Sequence, residues 1–288
     1  MTIAGQFPFV DIALAKRLEK TEAQSNLEAV EVRAALQPQS GATWIEVAGT
    51  YAMYDLQDSP LTQTFCLGMF QQVEETDLVR IEQFFEVRNA RVFHEVSPLA
   101  DSSTLTVLNA RGYKPLELTS VMYRPLLTDS TDQLKQNGDQ AEAGLATSVA
   151  SKLITRPIEP SESELWARTA ATGWSDYPEY TDLIYDLGLL LASRSNGCSF
   201  LAELDGVAVA SAGLSICDGV ALLAGASTIP AARGQGAQSA LLAARLQEAK
   251  NRNCDLAMIC AAPGSRSQRN AERNGFRIAY TRIKWMKG

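Results

Sequence analysis

The chain has 288 residues, 46% of them hydrophobic, which is enough for two compact domains with separate cores, and it carries a net charge of −7. That balance excludes a uniformly basic nucleic-acid-binding surface. No apolar run reaches the length of a membrane span or has the form of a cleavable leader, so a soluble, cytoplasmic protein without a membrane partner is expected.

The first half opens with a helical pattern over residues 10–36, ended by Pro38 and Gly41. Strands are predicted over 43–55 and 61–70, a helix over 75–89, a strand over 90–96, a short helix over 101–113 and a strand over 116–126. His94, the only histidine, falls in the third of these strands beside Phe93 and reads as a structural residue. Residues 127–150 are polar and aperiodic, as a linker should be.

The second half begins with a strand over 152–158 and a helix from Ser161, with Ser161 and Glu164 spaced as a capping box. A second helix runs over 180–195. Asp205-Gly206 and Asp218-Gly219 then separate three strand-like runs, as tight hairpins do. The last of those runs, 220–228, is small and apolar, and Pro230 stops its pairing. Gly234 and Gly236 follow and lead into an amphipathic helix expected to end near Asn251, its apolar stripe formed by Ala237, Leu241, Leu242, Ala244, Leu246 and Ala249. A strand from Asp255, a helix over 267–274 and a last strand complete the chain. The end of the first half, from Ala110, can be laid on the end of the second, from Arg273, with Gly112 over Gly275; both read helix, glycine, aromatic, strand, which suggests two copies of one domain.

The stretch 227–246 carries the chemistry. Two glycines without Cβ let the backbone approach a bulky anion, and the helix behind them contributes unpaired N–H groups and the positive end of its dipole. A P-loop is excluded, because Ala237 and Gln238 stand where Lys and Ser or Thr are needed. A dinucleotide fingerprint is excluded, because Ser239 replaces its third glycine and the next strand ends in Cys260 and Ala261 rather than in an acid. Five cysteines, Cys66, Cys198, Cys217, Cys254 and Cys260, show neither CxxC nor metal-ligand spacing, so neither disulfides nor a metal is expected. Charge is unevenly placed: residues 1–150 hold 11 basic and 20 acidic residues (net −9), 151–232 hold 4 and 10 (net −6), and 233–288 hold 11 and 3 (net +8).

Arg233, Gly234, Gln235, Gly236 and Ala237, with Pro230 three residues ahead, resemble the acetyl-CoA loop Q/R-x-x-G-x-G/A of the GNAT superfamily of N-acetyltransferases; the sixth position is Gln238 instead of Gly or Ala. The order strand, two helices, three strands, helix, strand, helix, strand is also similar to that family's, as is the Asn274-Gly275-Phe276 ending. The resemblance implies an α/β (α+β) fold of two tandem GNAT-like domains, each a mixed, mostly antiparallel sheet flanked by helices. Residues 1–126 would be a degenerate copy, 127–150 the linker and 151–288 the copy with the acetyl-CoA site. QQVEE, residues 71–75, stands where the first copy's loop should be and offers carboxylates instead of glycines.

The same resemblance implies that acetyl-CoA, as co-substrate, is held by Ser227, Thr228, Ile229, Arg233, Gly234, Gln235, Gly236, Ala237, Gln238 and Asn270. An acceptor amine would attack the thioester carbonyl directly, with the N–H groups near Ser227 and Thr228 polarising that carbonyl, and the net −6 of residues 151–232 beside the +8 of 233–288 leads to the expectation of a small, cationic acceptor. The usual acid, a tyrosine, is replaced by Ala271, with Asn270, Ser267 or Tyr280 as neighbours that substitute for it. The family's acceptor pocket is bordered by the loop 173–180, where Trp174, Tyr177 and Tyr180 would supply apolar walls and Asp176 and Glu179 the cation contact, with Asp176, Glu179 or a water chain as the base; a plain helix connection is the other reading of that loop. A CoA-binding or ligand-sensing protein that has lost catalysis is the alternative function. A monomer or homodimer is expected.

Overall fold

The computed structural model describes residues 7–126 and 152–288, so the predicted linker lies outside the described residues. The first helix, α1 (Ile12–Leu36), is capped by the Asp11 carboxylate on the Leu14 N–H and buries Leu14, Leu18, Leu27 and Val30, but also Glu19, Ser25 and Arg33. It is buried on several sides because it lies against both halves. Arg33 binds Asp55 at 2.6 Å in the first half and Asp186 in the second, and Ser25 Oγ meets Ser215 Oγ at 3.0 Å.

The run 43–55, expected as one strand, is a hairpin of β1 (Thr43–Val47) and β2 (Thr50–Tyr54) turning at Ala48 (φ 49°) and Gly49 (φ 74°). Both turn residues sit in the left-handed region that a two-residue hairpin requires, and Ala there gives no sequence signal. The strand expected over 61–70 is only β3 (Gln63–Phe65), followed by α2 (Glu75–Glu86), β4 (Phe93–Val96), α3 (Ser103–Ala110) and β5 (Tyr113–Pro125).

The second half holds β6 (Leu153–Pro157), α4 (Ser163–Thr172), α5 (Pro178–Ala192), β7 (Gly197–Leu204), β8 (Val207–Cys217), β9 (Val220–Thr228), α6 (Ala237–Asn251), β10 (Leu256–Ala261), α7 (Arg266–Arg273) and β11 (Arg277–Lys287). The capping box before α4 is not Ser161 with Glu164. Glu159 and Glu162 form it around a short 3-10 turn, because Pro160 starts the turn one residue earlier. Asp205 and Gly206, and Asp218 and Gly219, all have positive φ, as the two predicted hairpins need. Gly112 (φ 78°) and Gly275 (φ 82°), the aligned glycines of the repeat, make the same left-handed exit from their helices.

All eleven strands form one sheet in the order β1-β2-β3-β4-β11-β5-β10-β9-β8-β7-β6. The pairs β3–β4 and β9–β10 are parallel and the others antiparallel. Each half is mixed and mostly antiparallel, as expected, but the halves exchange their last strands: β11 lies between β4 and β5, and β5 lies between β11 and β10.

An ion cluster fixes this exchange. Arg282 of β11, 2% exposed, binds Glu22 of α1 at 2.7 Å, Glu95 of β4 at 2.9 Å and Glu19 of α1 at 3.3 Å. Burial pushes the Glu19 carboxyl up despite Arg282. Burial also raises Glu22, but the charge and hydrogen bond of Arg282 outweigh it and hold that carboxyl below its usual range.

Candidate active site

β9 and β10 pair only from Val220–Leu222 to Leu256–Met258 and then diverge, because parallel neighbours joined through a helix are not tied at their far ends. A cavity of about 810 Å³ opens in the splay. The β8 register passes from Gly213↔Ala224 to Ser211↔Ser227, so β9 holds one extra residue, and Gly225 (φ 64°) takes the left-handed conformation of a glycine bulge. Gly225 and Ala226 have no partner in that register and line the cavity. The sequence reading placed the carbonyl-polarising N–H groups near Ser227 and Thr228, which are both paired with β8. The signal for the bulge was a glycine inside a strand.

Beyond β9, Pro230–Ala232 form a 3-10 turn, and Gly234 (φ 80°) and Gly236 (φ 85°) lead into α6. A Cβ at Gly234 would meet nothing within 4 Å, so this face of the loop is open to a ligand. Gly236 is the helix N-cap and offers no side chain to the first turn, whose first backbone bond is from the Ala240 N–H to the Gly236 carbonyl. The N–H groups of Ala237, Gln238 and Ser239 are thus presented at the positive end of a 15-residue helix. Arg266 and Arg273 of α7 line the cavity opposite them. This donor set fits a pyrophosphate.

Of the predicted cofactor residues, Ser227, Thr228, Arg233, Gly234, Gly236, Ala237, Gln238 and Asn270 line the cavity. Ile229 and Gln235 do not: the Ile229 N–H bonds the Val209 carbonyl, and the Gln235 amide turns back to the Ala231 carbonyl. The Gln238 side chain donates to Thr228 Oγ1 at 2.6 Å, and Ser227 Oγ donates to the Ala170 carbonyl at 2.9 Å. Arg233 bonds the Gly173 carbonyl at 2.9 Å and forms an ion pair with Asp176, which ties the glycine loop to the α4–α5 connection.

Asp176 and Glu179 are outside the cavity lining. Asp176 is engaged by Arg233, and Glu179 is exposed in the first turn of α5. Asn270 and Ser267 of α7 reach the cavity, whereas Tyr280 is buried elsewhere with its hydroxyl donating to Glu19 at 2.8 Å. Ala271, where the acid would stand, is buried and lines the cavity with no titratable group. Cys260 lines the cavity and its thiol donates to Glu22 at 3.1 Å; burial holds that thiol well above its usual range, so it is not a thiolate nucleophile. Cys254 is buried. Trp166, Leu187 and Leu191, which wall the acceptor side, and Arg245 of α6 were not anticipated, because their helical spacing is that of ordinary core positions.

The corresponding place in the first half is filled. β3 and β4 pair in parallel only at Thr64↔His94, after which the chain turns at Cys66 (φ 67°) and Gly68 (φ 71°), burying Leu67, Met69 and Val73. A Cβ on Gly68 would lie 2.0 Å from Thr104 Oγ1, so this loop packs backbone against α3. His94 is buried with Thr64 Oγ1 2.7 Å from Nδ1, and burial lowers its pKa to about 3, in keeping with a structural histidine.

A sheet splayed at a glycine bulge, with a phosphate-sized cradle at the adjoining helix, is a geometry that fits an acyl-CoA. Residues 161–276 match the Acetyltransferase (GNAT) family. The whole chain is similar in fold to a GCN5-related N-acetyltransferase from Kribbella flavida, with a TM-score of 0.60 and 20% identity over 91% of this chain and 95% of that one. A tandem GNAT protein from the clavulanic acid biosynthesis pathway aligns with a TM-score of 0.54 and 13% identity over 84% of this chain and 79% of that one. A putative GNAT-family acetyltransferase from Novosphingobium aromaticivorans aligns with a TM-score of 0.50 and 14% identity, covering 88% and 94%. The sequence matches no curated protein. No helix among the described residues is long and apolar enough to cross a membrane, and no cluster of metal-ligating side chains occurs among them.

Proposed function

We propose that this protein transfers an acetyl group from acetyl-CoA to the amine of a small molecule in the β9–β10 cleft of the second copy, residues 151–288, while the first copy, residues 1–126, binds no CoA. The carrying observation is the conjunction of the open Gly234–Gly236 loop, the free N–H groups of Ala237–Ser239 and the bulge at Gly225 on one cavity. When acetyl-CoA is bound, its pyrophosphate meets the α6 N-terminus and its thioester reaches the bulge, whose backbone polarises the carbonyl. The amine nitrogen forms the new C–N bond, the C–S bond breaks, and the amine proton ends on the departing thiolate, giving CoA. Asn270 and Ser267 are polar side chains of α7 in the cavity wall available to that proton transfer.

The cationic-acceptor expectation rested on the acidic balance of residues 151–232, with Asp176 and Glu179 as the candidate contacts, and the positions of these two favour an acceptor met by the cavity wall instead. The absence of an acid at Ala271 favours a second reading, a CoA-binding sensor with little catalysis. We place the protein in the cytoplasm as a monomer or homodimer. Incubation of the purified chain with acetyl-CoA and a panel of amines, read by free thiol and by mass of the N-acetyl product, tests the proposal. Acceptor-dependent thiol release supports transfer, and CoA binding without it supports the sensor.

A further inference from the structure

The acceptor side of the cavity says what kind of amine it takes, given the acetyl-transfer reading on which this inference rests. Its wall is built by α4, α5 and the connection between them from Trp166, Trp174, Tyr177, Ile184, Leu187 and Leu191. Trp166 is fixed in place by its indole N–H on the Phe200 carbonyl at 3.0 Å. Trp174 is the centre of an aromatic cluster, with Tyr177 at 6.2 Å and Tyr180 at 6.3 Å between ring centroids.

Among the described residues, no carboxylate lines the cavity. The acidic surplus of residues 151–232 is accounted for elsewhere. Glu162 and Glu203 bind Arg156, Glu164 binds Arg168, Asp176 binds Arg233, Asp186 binds Arg33 and Asp218 binds Lys20. Asp205 accepts from the Lys152 N–H, Glu159 caps its own turn, and Glu179 and Asp182 face solvent. The charged side chains that do line the cavity, Arg233, Arg245, Arg266 and Arg273, are all cationic. An ammonium-rich acceptor brought here would lose its hydration without meeting a counter-ion, which is costly, whereas an apolar body gains by contact with the aromatic and aliphatic wall.

We infer that the acceptor is a monoamine carried on an apolar, ring-sized body, of the arylalkylamine or alkylamine class, and not a polyamine or an amino sugar. The amine nitrogen enters neutral, and selection is made by the Trp174–Leu191 wall.

The test separates this inference from the reading beneath it. Calorimetry with acetyl-CoA alone and thiol release with any amine report on transfer itself. The kcat/KM ratios for 2-phenylethylamine and hexylamine against spermidine and glucosamine report on the acceptor. The expected result is a preference of at least tenfold for the first pair. Trp174→Ala, at a position 40% exposed, should raise KM for 2-phenylethylamine about tenfold with the acetyl-CoA Kd unchanged, and Trp174→Phe should restore most of it. Transfer with spermidine or glucosamine equal to or better than with the apolar amines overturns the inference while leaving acetyl transfer standing, as does a Trp174→Ala variant with unaltered KM. Absence of transfer to every amine, with acetyl-CoA bound, overturns both.

Discussion

Replacing Arg282 by Met tests whether the exchanged strands hold the two halves together. The guanidinium is 2% exposed and its three partners, Glu19, Glu22 and Glu95, come from α1 and β4, elements of the other half. Removing the cation alone leaves Glu19 and Glu22 without a cationic partner and Glu95 with Lys284 only, at 3.2 Å. Loss of one partner from a buried ion pair costs about 3–5 kcal/mol, a large share of the roughly 5–15 kcal/mol that holds a domain folded. A fall in the thermal midpoint of roughly 10 °C follows for a chain of this size. The sign of the pH dependence is fixed as well. Without Arg282 the carboxylates have folded-state pKa values above their unfolded ones, so the deficit is greatest at high pH and shrinks as pH falls through those raised values. Unfolding in urea and by heat at pH 8 and pH 5, with Glu19→Gln/Glu95→Gln/Arg282→Met as the companion variant, measures all of this. The companion should recover at least half of the loss, because of the three carboxylates only Glu22, whose side chain is 16% exposed, then keeps its charge, and Lys284 keeps Glu117. A deficit under about 1 kcal/mol, or one of equal size at both pH values, would refute the reasoning.

Glu82 gives a second pH test: burial pushes its carboxyl up, but hydrogen bonds from Arg111, Lys287 and Tyr113 outweigh this and hold it at about 2. Its contribution is therefore complete above the usual carboxylate range and lost as pH falls towards 2, so Glu82→Gln should be less stable by about 2–3 kcal/mol at pH 7 and indistinguishable from the parent near pH 2. Gly68→Ala should destabilise the first half, because the new Cβ meets Thr104 Oγ1 at 2.0 Å at a residue with φ 71°; an unchanged melting curve would contradict the packed loop. Acetyl-CoA alone should leave no acetyl group on Cys260 or Cys254 by intact mass, since burial raises both thiols and Cys260 is hydrogen-bonded to Glu22.

The order of elements and the cofactor loop were legible because local signals carry them. The Asp-Gly pairs placed two hairpins, Gly112 and Gly275 marked the repeat, and β9 and α6 begin and end where Val220, Pro230 and Asn251 indicated. What was not legible depends on partners distant in sequence. Arg282 and Glu19, 263 residues apart, carry no mark of their contact, so the strand exchange was invisible. The Ala48–Gly49 turn was hidden by an alanine in a glycine-like conformation. Asp176 and Glu179 were chosen from charge and proximity in sequence, but side-chain direction at a helix start decided otherwise: one meets Arg233 and the other meets water. Trp174 and Tyr177 of the cavity wall stood out in the aromatic loop before α5, whereas Trp166, Leu187 and Leu191 look like any core stripe until the cleft between β9 and β10 is seen.

The central claim is one acetyl-CoA site per chain, at the α6 N-terminus beside the β9 bulge. Titration calorimetry of acetyl-CoA into the purified chain and into Gly236→Val tests it most directly, because Gly236 has φ 85° and its missing Cβ would have only Leu153 Cδ2, at 3.9 Å, as a neighbour. The account predicts a stoichiometry of one for the parent, and for the variant a loss of binding with the far-ultraviolet spectrum retained. Two sites per chain, no site, or unchanged affinity in Gly236→Val would contradict it.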